Sequence, residues 1–318
     1  MRFVASAISS DRAVLGEGPL WDARYQCYCW IDIELRRLHC FREEWGQSLA
    51  WQLDQIPGAV ALRQGGGLVM ALQFGFALLE PLSAERFLGR STAATGDQIR
   101  NLAEDWTLTM LQSPEPDRLE NRLNDGKVDP AGRFWAGTMR IDEHMTQHTG
   151  TLYSLETDRS IRAHWGNGTI GVSNGMAWSS DARKFFYIDS PRRLIYAFDY
   201  QQDAGEISGC KVAFQVPDHL GYPDGMTIDA EDKLWVALWG ANRVVRICPK
   251  AGEILAEVIL PVSIPTACTF GGSNLDQLLI TTASIGLSES QRAQEPLAGA
   301  LFIADVGTRG FAPHEFRG

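Results

Sequence analysis

What this 318-residue chain lacks narrows its possibilities before any motif is read. No apolar run reaches the roughly 18 residues that cross a bilayer, so no membrane partner is expected. The opening Met1-Arg2-Phe3-Val4-Ala5-Ser6 offers too short an apolar stretch for a secretory signal. Basic residues form no block and are outnumbered, 29 against 39 acidic ones. A net charge of −10 argues against a nucleic-acid partner. The six cysteines (27, 29, 40, 210, 248, 268) contain no Cys-x-x-Cys step, and a disulfide framework is not expected without an export signal. Cys27 and Cys29, two apart in a strand-like run, share a face and read as packed thiols. Almost no amphipathic helical pattern separates the apolar runs, which argues against a doubly wound α/β sheet. The expectation is a cytoplasmic protein, a monomer or weak homodimer.

What is present is a repeat. Asn124, Asn174 and Asp224 stand fifty residues apart, each with a glycine one or two residues on (Asn124-Asp125-Gly126, Asn174-Gly175, Asp224-Gly225), and each stretch leads into an apolar run. Aligning the chain on its turns gives six units. They open near Glu17-Gly18-Pro19-Leu20, Ala59-Val60-Ala61-Leu62, Lys127-Val128-Asp129, Met176-Ala177-Trp178, Met226-Thr227-Ile228 and Ala267-Cys268-Thr269-Phe270. Short β-branched and aromatic runs between polar, Gly- or Asp-containing turns are the signal of strands and hairpins. Four strands per unit of about 40 to 50 residues predict propeller blades. The fold expected for residues 1–318 is therefore all-β, a single six-bladed β-propeller domain. The apolar opening strand of each unit lies innermost, and Phe3-Val4-Ala5 pairs near Ala300-Leu301-Phe302-Ile303 to close the last blade.

Unit two breaks the period, with an insertion at about 81–104. Ile99, Leu102, Ala103 and Trp106 follow helical spacing, while Trp106, Leu108 and Met110 alternate like a strand. The reading is a short helix, then the outer strand of blade two, with the insertion on the face opposite the openings of the innermost strands. Gly65-Gly66-Gly67 reads as a hairpin turn, not a phosphate loop, because no helix follows.

In a propeller the segments entering the innermost strands surround one mouth of the central channel. Glu17, Asn124, Asp125, Asn174 and Asp224 all occupy that position, which aims their oxygens at one small volume. Carboxylates and amide oxygens without a paired His or Cys suit a hard cation such as Ca²⁺, Mg²⁺ or Mn²⁺. A single Asn-Gly or Asp-Gly is most often only a turn. Recurrence in register is what raises these above turns, and Glu17 has no turn purpose in Gly16-Glu17-Gly18-Pro19. His144 and His148, four apart in a loop, read as solvent-facing. Trp21, Trp135, Trp178 and Trp235 recur at matching positions and read as core, and Trp239 as a residue of the mouth.

Leu15–Trp21, the run NRLNDGKVDPAGRFWAGTM (121–139), Ser173–Met176 and Pro223–Met226 resemble the regucalcin (senescence marker protein)/gluconolactonase family of six-bladed propellers. That resemblance implies Glu17, Asn174 and Asp224 as ligands of one divalent metal, Ca²⁺ first, with Zn²⁺, Mn²⁺ or Mg²⁺ as alternatives. It implies Arg122 and Asn124 as substrate contacts, with Asp142 in place of a glutamate one carbon longer. The activity implied is metal-dependent hydrolysis of a sugar aldonolactone, a small-molecule substrate, to its aldonic acid. Asp224 is then also a candidate general base. The alternatives are a calcium-binding regulatory protein of the regucalcin type, or a hydrolase of other esters or phosphotriesters.

Overall fold

The computed structural model describes residues 1–83, 99–141 and 148–318. Six antiparallel sheets follow one another along the chain and form a six-bladed β-propeller. Blade one comprises Gly16–Asp22, Cys27–Asp32, Arg37–Phe41 and Ser48–Gln52; blade two Pro57–Leu62, Leu68–Leu72, Gly75–Pro81 and Trp106–Met110. Blade three comprises Asn121–Val128, Phe134–Arg140, Gly150–Leu155 and Ile161–Ile170; blade four Ser173–Trp178, Lys184–Asp189, Leu194–Gln201 and Glu206–Gln215. Blade five comprises Tyr222–Ile228, Leu234–Trp239, Arg243–Cys248 and Glu253–Ile259; blade six Pro265–Gly271, Gln277–Thr282, Phe302–Asp305 and Ser6–Ala7.

The ring closes through the N-terminus, with a segment that starts three residues later than the sequence suggests. Ser6 and Ala7 pair with Ile303 and Phe302 of blade six. Arg2–Val4 instead run parallel to Glu257–Ile259 at the outer edge of blade five. The terminus thus covers two neighbouring sheet edges, which would otherwise present unpaired backbone groups. The insertion in blade two lies between its third and fourth strands, as expected. Among the described residues of the insertion, the helical spacing there is taken up by a 3₁₀ turn at Leu102–Glu104. Ile99–Asn101, read as part of the expected helix, adds a parallel strand to the outer edge of blade one. Asn101 caps the turn by accepting from Ala103 N at 3.0 Å, and that local bond ends the strand.

An aspartate latches the first hairpin in two of the blades that carry the site. Asp129 accepts from Ala131 N and Arg133 N, both at 2.9 Å, which bends the chain from the inner strand into the next one. Its other oxygen accepts from Trp135 Nε1 at 2.8 Å. Asp229 repeats this with Glu231 N, Lys233 N and Trp235 Nε1. Each latch satisfies a buried indole that the core otherwise could not accommodate. Trp21, Trp135, Trp178 and Trp235 are all buried, as their recurrence implied.

Candidate active site

All six innermost strands carry a register break at corresponding points: Glu17/Leu20, Pro57/Ala59, Leu123/Gly126, Asn174/Met176, Pro223/Met226 and Pro265/Ala267. The polar-Gly steps, placed by the sequence in the segments entering the innermost strands, lie inside those strands, at these bulges. A bulge leaves residues out of the ladder and re-aims their side chains. Asn124, Asp125 and Asp224 all fall at these breaks, and Asn124 reaches across to Asn174 of the next blade. Glycine is required by proximity rather than by turn geometry. A Cβ on Gly175 would stand 2.5 Å from Met226 Cβ and 2.8 Å from Asp224 O, and one on Gly225 2.7 Å from Ala267 Cα. The bulged strands of neighbouring blades therefore approach closely, and that draws their polar side chains together.

Glu17, Asn124, Asn174 and Asp224 are all buried. A chain of hydrogen bonds links blades three, four and five. Arg122 donates to Asn124 Oδ1 at 2.6 Å, and Asn124 Nδ2 donates to Asn174 Oδ1 at 2.9 Å and to Ser173 O at 2.7 Å. Asn174 Nδ2 donates to Ser190 Oγ at 2.7 Å, which in turn donates to Pro223 O at 2.6 Å, next to Asp224. Ser190 had no signal in the sequence; it sits after the second strand of blade four and reaches the site only through the fold.

Burial pushes Glu17 up to about 8, reinforced by the charge of Asp125 and opposed by the Gly18 N–H and Arg122. Asp224 is raised well above the ordinary aspartate range by burial, then by Glu17 and Asp125. Asp125 is raised by burial and held back by Lys127 and the Gly126 N–H. Burial also lowers the Arg122 guanidinium to about 10. Glu17 and Asp224 thus lack enough positive charge in the protein itself, and each needs a proton or a cation. Asn174 Oδ1 has one lone pair committed to Asn124 and a second one free. Two under-neutralised carboxylates and an amide oxygen are all hard oxygen donors, and they fit a divalent ion. Asp125 lies near Glu17 and Asp224 but does not form a trio with them at ligand spacing; among the described residues the only such His, Cys, Asp or Glu trio is Cys27, Cys29 and Cys40.

The raised carboxylates have a consequence for stability. A carboxyl whose pKa is higher folded than unfolded binds more protons in the folded state, so its contribution is full at low pH and fades as pH rises through the folded value. Chelator-treated protein is expected to lose melting temperature between the ordinary glutamate value of 4.5 and about 8. Added divalent ion should restore it most strongly at the upper end. A melting temperature of the metal-free protein that rises across this window would contradict the reading.

Two cavities adjoin the site. One, of about 270 Å³, is lined by Phe74, Glu115, Leu119, Arg122 and Thr138 beside the start of blade three's inner strand. The other, of about 470 Å³, follows the axis past Asp125, Lys127 and Cys268 to the C-terminal residues Phe311 and His314. Trp239 is partly exposed and pairs with Tyr222 at the entry of blade five's inner strand. His148 stands 3.5 Å from an Arg192 nitrogen through Nδ1, while Asp142 and His144 lie outside the described residues.

Fold and site together define the class: a six-bladed propeller whose axial mouth carries a buried, oxygen-rich cup flanked by an arginine. Residues 15–284 match the model of the SMP-30/Gluconolactonase/LRE-like region, and the chain belongs to that family. It is 35% identical to the regucalcin of Gallus gallus, over 98% of this chain and 97% of that one, and 34% identical to that of Homo sapiens, over 95% of each. Among solved structures it is similar to a luciferin-regenerating enzyme, with a TM-score of 0.86 and 30% identity over 99% of both chains. A gluconolactonase from Xanthomonas campestris shares the fold at 19% identity and a TM-score of 0.69, over 95% of this chain and 89% of that one.

Proposed function

We propose that the protein is a metal-dependent lactonase that hydrolyses a sugar aldonolactone to its aldonic acid. Glu17, Asn174 and Asp224 would hold one divalent ion, Ca²⁺ first by their hard oxygen donors. When bound, the ion supplies Lewis-acid polarisation of the ester carbonyl and stabilisation of the negative charge that grows on its oxygen. The single observation that carries the reading is the convergence of two under-neutralised carboxylates and an amide oxygen next to Arg122 and Asn124. A scaffold that only stored the ion would need no such arginine.

Arg122 and Asn124 contact and orient the substrate hydroxyls. Their mutual hydrogen bond fixes both side chains before binding, so less freedom is lost when the sugar arrives. Asp224, held by the bulge and by the Ser190 bond to Pro223 O, accepts the proton of the attacking water. Ring opening then needs a proton on the departing alkoxide, and Asp224 can return it. The buried cup limits the water that can compete for these groups.

The deciding experiment follows acid release from gluconolactone, galactonolactone, xylonolactone and arabinonolactone, with and without chelator. Hydrolysis of at least one, abolished by chelator and restored by divalent metal, is expected. If no lactone is turned over with any added divalent ion, the proposal fails. The similarity to a luciferin-regenerating enzyme makes a non-sugar substrate the second reading, and turnover of simple aryl esters but no lactone would favour it.

A further inference from the structure

The cysteines of blade one form a cluster that lactone hydrolysis does not use. The sulfurs of Cys27, Cys29 and Cys40 all lie within 4.8 Å of one another. Strand geometry alone does not bring this about. Residues two apart on one strand are separated by about 6.6 Å along it, and Cys40 faces Cys29 from the neighbouring strand. Three side chains therefore lean towards a common point. They do so in an otherwise hydrocarbon environment with Leu20, Ile31, Leu38 and Trp51 in the same core cluster. All three are buried, with exposures of 0%, 4% and 1%.

Two charged residues act on the cluster. The Asp22 carboxylate is committed to Arg24, through its backbone N–H and two guanidinium nitrogens, so it offers no fourth ligand. Arg42 favours a thiolate at Cys27, and its buried Nε has no partner. Hydrogen bonds from Cys29 and then Cys40 bring Cys27 down to about 5. The bond to Cys27 raises Cys29, and burial raises Cys40.

We propose that Cys27, Cys29 and Cys40 form a three-sulfur site for a soft metal ion, Cu(I). Zinc in closed protein sites takes four ligands in a tetrahedron, and among the described residues three donors converge here. Hard ions such as Ca²⁺ and Mg²⁺ require oxygen. Thiolate sulfur selects Cu(I), which accepts a three-coordinate arrangement. Coordination leaves the oxidation state of the metal unchanged, and each thiol that binds releases its proton to solvent. The Arg42 charge offsets part of the negative charge left on the sulfurs.

The test uses the full-length protein under anaerobic, reducing conditions, with Cu(I) supplied from a coloured Cu(I) chelator so that loss of colour reports transfer. The native protein should take one ion per chain and melt at a higher temperature with it. Cys29→Ser and Cys40→Ser should weaken binding at least about 100-fold, since losing a ligand costs more than the 10- to 100-fold typical of an outer-shell partner. Cys210→Ser, exposed on blade four, should bind as the native protein does. If the serine variants do not fold, X-ray absorption at the copper edge of the native protein decides, with three sulfur neighbours expected. No transfer to native protein, equal transfer to Cys40→Ser, or nitrogen and oxygen neighbours would each overturn the proposal. None of these outcomes depends on lactone turnover.

Discussion

Asp224→Asn is expected to lower kcat/KM on the hydrolysed lactone at least ~1000-fold even at saturating metal, as removal of a general base costs about 10²–10⁴. The amide keeps one oxygen that can face the ion but loses both the charge and the basicity. The loss therefore has two separable parts. Weakened ion binding should be recovered by adding metal, whereas the missing base should not. Isothermal titration with the divalent ion measures the first, and turnover at saturation the second. A variant that binds metal weakly yet regains native kcat at high metal would remove Asp224 from proton transfer and leave it a ligand only. The environment makes a large effect reasonable. Asp224 is buried and pushed up by desolvation and by Glu17, so its basicity in the metal-free site exceeds that of an ordinary aspartate.

Gly225→Ala should destabilise the fold by about 3 kcal/mol, the upper end of usual overpacking costs, and lower the melting temperature by roughly 5–10 °C. Gly225 does not have the left-handed backbone that usually explains a glycine. Its Cβ would stand 2.7 Å from Ala267 Cα and 3.0 Å from Thr266 O, both main-chain atoms of blade six that no rotamer change can move. Gly240 is the contrast: φ is +80° with open space around the added carbon. Gly240→Ala should cost only the left-handed penalty of about 1–2 kcal/mol. Gly225→Ala should also reduce lactone turnover, because relief of the clash shifts the bulge that aims Asp224. Equal melting temperatures for the two variants would contradict the close approach of blades five and six.

The fifty-residue recurrence made the blades legible because each blade is one unit of four strands, and its hydrophobic and turn pattern must repeat for the unit to pack. Strand boundaries in blades three to five follow that pattern closely. Legibility fell where pairing is non-local. Arg2–Val4 and Ile99–Asn101 each run beside a strand of another blade, and a three-residue edge strand carries too few residues to show a period. The helical spacing of Ile99 and Leu102 was real in sequence, yet a single 3₁₀ turn satisfied it. For the candidate site, Glu17, Asn124, Asn174 and Asp224 were visible through position in the repeat. Ser190 was not, since a lone serine after a strand carries no signal until Asn174 and Pro223 are brought to it.

The sequence by itself determined the number of blades, the all-β class and which oxygen-bearing residues recur in register, because period and polarity are local properties of the chain. Only the tertiary structure decided that the Asn-Gly and Asp-Gly steps lie at bulges within the innermost strands instead of in the segments entering them. It alone decided that their glycines answer to neighbouring backbones. It also decided which carboxylates are desolvated together and that Cys40 joins Cys27 and Cys29. Those outcomes depend on distances between residues tens to hundreds of positions apart, and such distances are fixed when the ring closes.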